Sequence, residues 1–174
     1  MKKFNKKGFT IVELVIVIAV IAILAGVLIP TFATVVDKAN KSSAEQQARN
    51  FYTLLEAATA APTTYTKDSV TYAISLQPTG LVVAKTAGGN EHVDADVVLK
   101  AVLGDDATTY VGAKVWIDSS VNLASGNSWT IPAVYFQPKG SNYYVKIDLV
   151  AGTVGGAEKV GDSTVPANAI TLAK

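Results

Sequence analysis

One segment constrains this chain more than any other: between Phe9 and Ala33 every residue except Thr10, Glu13, Gly26, Pro30 and Thr31 is apolar. A helix that is apolar all round has no face to offer water, so it must lie in lipid or inside protein. The 21 residues from Phe9 to Ile29 would measure roughly 31 Å as a helix, close to a bilayer hydrocarbon core of about 30 Å. Hydrophobic residues make up 49% of the whole chain, but outside this window the fraction falls to about 44%, an ordinary globular value. The 174 residues therefore read as an anchor plus one domain rather than a multi-domain enzyme.

Charge sets the direction of that anchor. Lys2, Lys3, Lys6 and Lys7 precede the apolar run and few basic residues follow it closely, so the positive-inside rule places the N-terminus in the cytoplasm and the rest across the membrane. From Phe9 onward eleven basic residues face fourteen acidic ones, a net charge of minus three. That balance gives no basic surface for nucleic acid. Cysteine is absent, which excludes a disulfide framework, thiol catalysis and thiolate metal sites.

A cleaved secretory signal needs an apolar core of about 7 to 15 residues and a small-x-small cleavage site. Here the run is too long, and Ala19, Ala22 and Ala25 are spaced by three, so no Ala-x-Ala pair occurs. A plain signal anchor fits better, but two residues disturb it. Gly8 sits where the lysines meet the apolar run, and Glu13 puts a carboxylate inside it. Such a charge costs about 2.5 to 3.5 kcal/mol at the centre of an inserted helix, so it marks a functional position.

The segment KKGFTIVELVIVIAVIAILAGVLIP, Lys6 to Pro30, resembles the N-terminal signature of type IV prepilins. The resemblance covers about the first 30 residues at motif level; the rest is similar in architecture alone. It implies a leader, residues 1–8, cut after Gly8 by the membrane aspartate protease prepilin peptidase, with Phe9 as the N-methylated mature terminus. Residues 9–33 would be the membrane and filament-core half of a long helix, and 34–174 the extracytoplasmic domain. Glu13 would pair with the Phe9 amine of a neighbouring subunit or of its own chain. The disulfide-closed loop of many Gram-negative pilins cannot form here, which points to the cysteine-free Gram-positive kind.

The residues themselves supply the rest of the fold. No Gly or Pro occurs from Thr31 to Ala61, so helix is expected from Phe9 to Ala61, with Ala44, Ala48, Phe51, Leu55 and Ala58 as one apolar stripe. Gly26 and Pro30 make the weakest turn, where the helix is expected to loosen in a filament. Strands are expected around Val70–Leu76, Gly80–Lys85, Val111–Ile117, Trp129–Gln137 and Asn142–Val150. Pro132 marks an edge or bulge in the fourth of these. Ala95–Leu103 reads as a short helix capped by Asp94 and closed by Gly104. Beyond Gly152 the Gly-rich, polar sequence reads as a loop or tail, with one short strand near Ile170. The class is α+β, a long helix packed on a mostly antiparallel sheet.

Other candidate sites give way to simpler readings. Glu91, His92, Asp94 and Asp96, with Asp105 and Asp106, supply metal-ligand types, but no EF-hand spacing occurs and a solvated acidic loop accounts for them. Asp118, Ser119 and His92 have hydrolase residue types without a nucleophile-elbow context. Trp116, Trp129, Tyr135, Phe136, Tyr143 and Tyr144 could form a binding face, though alternation sends half of them to the core. Asn40-Lys41-Ser42 matches the three-residue glycosylation pattern.

The expectation is a structural subunit, not an enzyme, and without a cofactor. Its partners would be further copies of itself, prepilin peptidase, the pilus assembly machinery and the membrane before assembly. A pseudopilin or minor pilin of a type II secretion or DNA-uptake system would share the same N-terminal residues. A signal-anchored surface domain that never polymerises is the rival of another class, and retention of Gly8 would favour it. The mature length of 166, with an elaborate sheet domain, favours the fibre-forming subunit over the pseudopilin.

Overall fold

The computed structural model describes residues 8–67, 69–87, 110–117, 121, 128–161 and 170–171. Its contacts divide the chain into two compact units, Met1–Ala39 and Asn40–Lys174. Helix α1, Ile11–Ala58, contributes to both.

In the first unit α1 stands with its apolar side chains exposed on every side, from Ile11 (81%) through Ile23 (70%) to Phe32 (66%). It is long and apolar enough to cross a membrane. In the second unit the pattern becomes a stripe. Ala44, Ala48, Phe51 and Leu55 are buried and Ala58 is half-buried, as their four- and three-residue spacing requires.

The helix is shorter than expected at both ends, by two residues at the start and three at the finish. Thr10 acts as the N-cap and so stays outside. At the other end threonines, not a glycine, satisfy the last carbonyls. The Thr59 hydroxyl donates to the Leu55 carbonyl at 2.5 Å, and the Thr63 hydroxyl to that of Ala58 at 3.0 Å. Pro62 then prevents continuation.

The stripe is covered by two antiparallel sheets. The first has the order β1 (Thr63–Lys67), β2 (Val70–Gln77), β3 (Gly80–Ala87), β5 (Ser128–Ile131). The second runs β8 (Thr153–Lys159), β7 (Tyr143–Asp148), β6 (Ala133–Gln137), β4 (Lys114–Ile117), β9 (Ile170–Thr171). Phe51 is the join between helix and sheet: its ring stacks on Phe136 at 4.6 Å, and Tyr110 meets both rings edge-on. Burying each such side chain contributes about 1.5 to 3 kcal/mol.

The expected strand Trp129–Gln137 is two strands in two sheets, β5 paired with β3 and β6 paired with β4 and β7. Pro132 is the switch. It has no N–H for either ladder, and its carbonyl accepts from the Leu149 N–H at 2.8 Å. Gly80 (φ 119°) starts β3 beside this corner, where a Cβ would collide with the Ile131 carbonyl oxygen.

Three further corrections concern short elements. β1 and β8 were not expected, and β4 begins at Lys114 rather than Val111 because Tyr110–Gly112 form a turn closed by Ala113 N–H to the Tyr110 carbonyl at 2.9 Å. The β8 sequence TVGGAEK lacks apolar alternation and becomes a strand by pairing with β7. The short strand near Ile170 is present as β9. The aromatics divide by face: Trp129, Phe136 and Tyr143 join the core around Phe51, while Trp116, Tyr135 and Tyr144 form a separate cluster. The expected helix Ala95–Leu103, with Asp94 and Gly104, lies outside the described residues.

Candidate functional site

The N-terminal turn of α1 is built by two side chains. Thr10 N–H donates to Glu13 Oε2 at 2.8 Å, the Thr10 hydroxyl donates to the same oxygen at 2.7 Å, and Glu13 N–H donates back to Thr10 Oγ1 at 3.3 Å. This reciprocal arrangement is a capping box, which satisfies amide groups that the first helical turn leaves without partners. Both bonds to the carboxylate fall on Oε2, so Oε1 is left open among the described residues. The Thr-x-x-Glu spacing ahead of an apolar run is the sequence signal for this box, and it identifies Thr10 as a residue that a reading centred on Glu13 alone misses.

Around this turn the chain is open. Phe9 is 87% exposed. Gly8 is exposed too, with no atom within 4 Å of where a Cβ would stand. Within the single chain the Glu13 side chain is bonded to Thr10, not to Phe9.

Further along, α1 passes through Gly26 and Pro30 as helix. Pro30 has no N–H to give the Gly26 carbonyl. One turn on, the Thr31 hydroxyl lies within donor reach of two carbonyls, Val27 at 3.1 Å and Leu28 at 2.9 Å, and the Thr34 hydroxyl donates to Thr31 at 2.8 Å. Hydroxyl-to-carbonyl bonds of this kind accompany helix bending and supply polar contacts that lipid cannot.

Glu91, His92, Asp94, Asp96, Asp105, Asp106, Asp118 and Ser119 lie outside the described residues. Among the described residues no group of three or more His, Cys, Asp or Glu side chains could hold a metal ion. Asn40, Lys41 and Ser42 are exposed on α1.

A solvent-exposed apolar half-helix, capped by a carboxylate and followed by a helix stripe packed on antiparallel sheets, defines a pilin-like α+β protein. Comparison with known proteins agrees with this over part of the chain. Residues 3–29 match the family model described as the prokaryotic N-terminal methylation motif. A type IV wide pilus major component from Thermus thermophilus is 61% identical over 36 residues, which is 21% of this chain and 28% of that protein. No solved structure matches. The motif and the relative support a type IV pilin, and both matches concern only part of the chain.

Proposed function

We propose that this chain is a type IV prepilin whose mature form is the structural, non-enzymatic major subunit of an extracellular filament. The observation that carries the reading is the apolar half of α1, exposed on all sides directly behind Gly8 and interrupted by one carboxylate, Glu13. Such a half-helix has two acceptable solvents, a bilayer and the core of a bundle of its own copies, and moving between them leaves little apolar surface in water. Before assembly it is stored as a single membrane span with its N-terminus in the cytoplasm, held there by the four lysines. Head-to-tail contacts that do not close then give an open helix of subunits.

Processing licenses assembly. Prepilin peptidase cuts between Gly8 and Phe9, where the missing side chain lets an extended leader approach the protease. The new Phe9 amine is methylated, remains cationic, and pairs with the open oxygen of Glu13 in a neighbouring subunit or in its own chain. In the precursor Phe9 is an amide and cannot make this pair. In the packed filament α1 loosens between Gly26 and Pro30, while residues 34–174 form the exposed domain.

The test is mass spectrometry of subunits from sheared surface filaments, with electron microscopy of the same sample. A subunit beginning at methylated Phe9 is expected, and Gly8→Leu leaves an uncut precursor and bare cells. Filaments built from chains that begin at Met1 or near Ala25 would overturn the processing step, and cells without filaments under conditions of full expression would overturn the subunit reading.

A further inference from the structure

The second unit carries a cleft of about 220 Å³ between α1 and the β6–β7 turn. Its shape has a simple cause. Asn40, Ser43 and Gln47 share one face of α1, and the small Ala44 among them leaves a depression opposite Gly140. The facing wall is fixed. Ser141 N–H donates to the Pro138 carbonyl at 3.1 Å, and Gly140 takes the φ of 70° that this turn requires. Gln137 Nε2 donates to the Ser141 carbonyl at 2.5 Å, and Tyr143 N–H to Ser141 Oγ at 3.0 Å. The aliphatic stem of Lys139 lies against Gly112, where a Cβ would stand 3.1 Å from its Cδ.

What remains unspent in the cleft is polar and not acidic. The Asn40 and Asn142 amides and the Lys139 ammonium make no hydrogen bond or ion pair among the described residues. Gln47 Nε2 donates to Ser43 Oγ at 3.2 Å, which leaves the Gln47 carbonyl oxygen and the Ser43 proton for a ligand. No carboxylate lines the cleft. Amides and hydroxyls pair with neighbouring hydroxyls of a polyol, and the lysine supplies a point charge for an anion. The volume is below the roughly 300 to 1,000 Å³ of sites for drug-sized ligands, so it fits one small unit.

We propose that this cleft binds an anion bearing adjacent hydroxyls, the chemistry shared by a uronic acid unit and a terminal glycerol phosphate unit of surface polymers. Lys139 holds the anionic group, and Asn40, Gln47 and Asn142 hold the hydroxyls. The proposal is independent of the pilin reading, since it rests on residues of the second unit alone.

The detergent-solubilised full chain, isotopically labelled, is titrated with glucuronate, glycerol 1-phosphate, glucose, acetate and inorganic phosphate while amide shifts at residues 40–47 and 139–143 are followed. One of the two hydroxylated anions is expected to bind at least tenfold more tightly than glucose, acetate or inorganic phosphate, and which one it is identifies the source. Lys139→Gln weakens that binding at least fivefold. Asn142→Asp, which keeps the shape but repels an anion, removes it, with unchanged tryptophan fluorescence as the folding control. Equal binding of the simple anions, unaltered binding by either variant, or no shifts at these residues would overturn the proposal.

Discussion

The two halves of α1 are made from similar apolar residues and meet opposite fates. Ile23 and Ile29 are each 70% exposed, whereas Phe51 and Leu55 are fully buried. The difference is arrangement. From Ile11 to Ile29 only Glu13 and Gly26 interrupt the apolar run, so no single neighbour in its own chain could cover it; the later residues place their apolar groups on one stripe, which two sheets cover from Ala44 to Leu55. A stripe encodes a fold, and an all-round apolar surface encodes a need for other molecules, lipid or further copies of the same helix.

If that division holds, Glu13 belongs to assembly and not to folding. Glu13→Ala is expected to insert and to be cleaved, yet to give at least tenfold fewer filaments when it is the sole subunit, with Glu13→Asp intermediate because its reach is one methylene shorter. An unpaired carboxylate in an apolar core is costly, and a paired one fixes the axial register between helices. Trp116 and Trp129 both lie in the second unit, so their fluorescence during urea unfolding reports that unit separately and should not change with either substitution. Normal filament yield from Glu13→Ala alone would break the pairing mechanism.

The same contrast explains what was legible in the sequence. The stripe Ala44–Leu55 and the alternation in β2 and β7 are periodic, and period is the signal a burial face leaves in a sequence, while the anchor shows itself by the length of its apolar run. β8 left no such signal, since its Gly155 and Gly156 carry no side chains and its place is fixed by the neighbouring β7 and by a carboxylate from α1. Pro132 was visible as an irregularity, but sheet exchange depends on where β3 and β7 lie, which is information held elsewhere in the chain. At the candidate site, Gly8, Phe9 and Glu13 are conspicuous by position, whereas the role of Thr10 emerges from the three hydrogen bonds that join it to Glu13.

A core substitution sharpens the comparison within one helix. Phe51→Ala removes the stack on Phe136 and the edge contact with Tyr110, and is expected to destabilise the second unit by about 3 to 5 kcal/mol. Leu24→Ala in the exposed half should leave the same unfolding curve within about 0.5 kcal/mol of wild type. Equal losses from both would mean that the first half also supports the fold. A smaller effect is expected at Glu45, whose Oε1 accepts the N–H of buried Ala157 at 3.0 Å and so ties α1 to the edge strand β8. Glu45→Ala leaves that N–H without a partner, at about 1 to 3 kcal/mol, while Glu45→Gln keeps an acceptor and recovers most of the loss. If Gln and Ala behaved alike in urea unfolding, the bond would not be what holds the edge.

The smallest effect is expected at Tyr52, on the border of the buried stripe. Partial burial, followed by repulsion from the Glu56 carboxylate, pushes its phenol above the ordinary value of 10.0. The folded chain therefore holds this proton more tightly than the unfolded chain does. Below about pH 10 both states are protonated and the difference contributes no pH dependence; as pH rises past the unfolded value the unfolded state releases its proton first, and stability falls. Tyr52→Phe should flatten that alkaline decline slightly while leaving the neutral-pH midpoint nearly unchanged. The change in slope is small and is read as the difference between the two proteins. Urea midpoints measured between pH 9 and 11 provide the check. A decline identical in the two proteins would place the Tyr52 hydroxyl in water, outside the influence of Glu56 and of the packed face beside it.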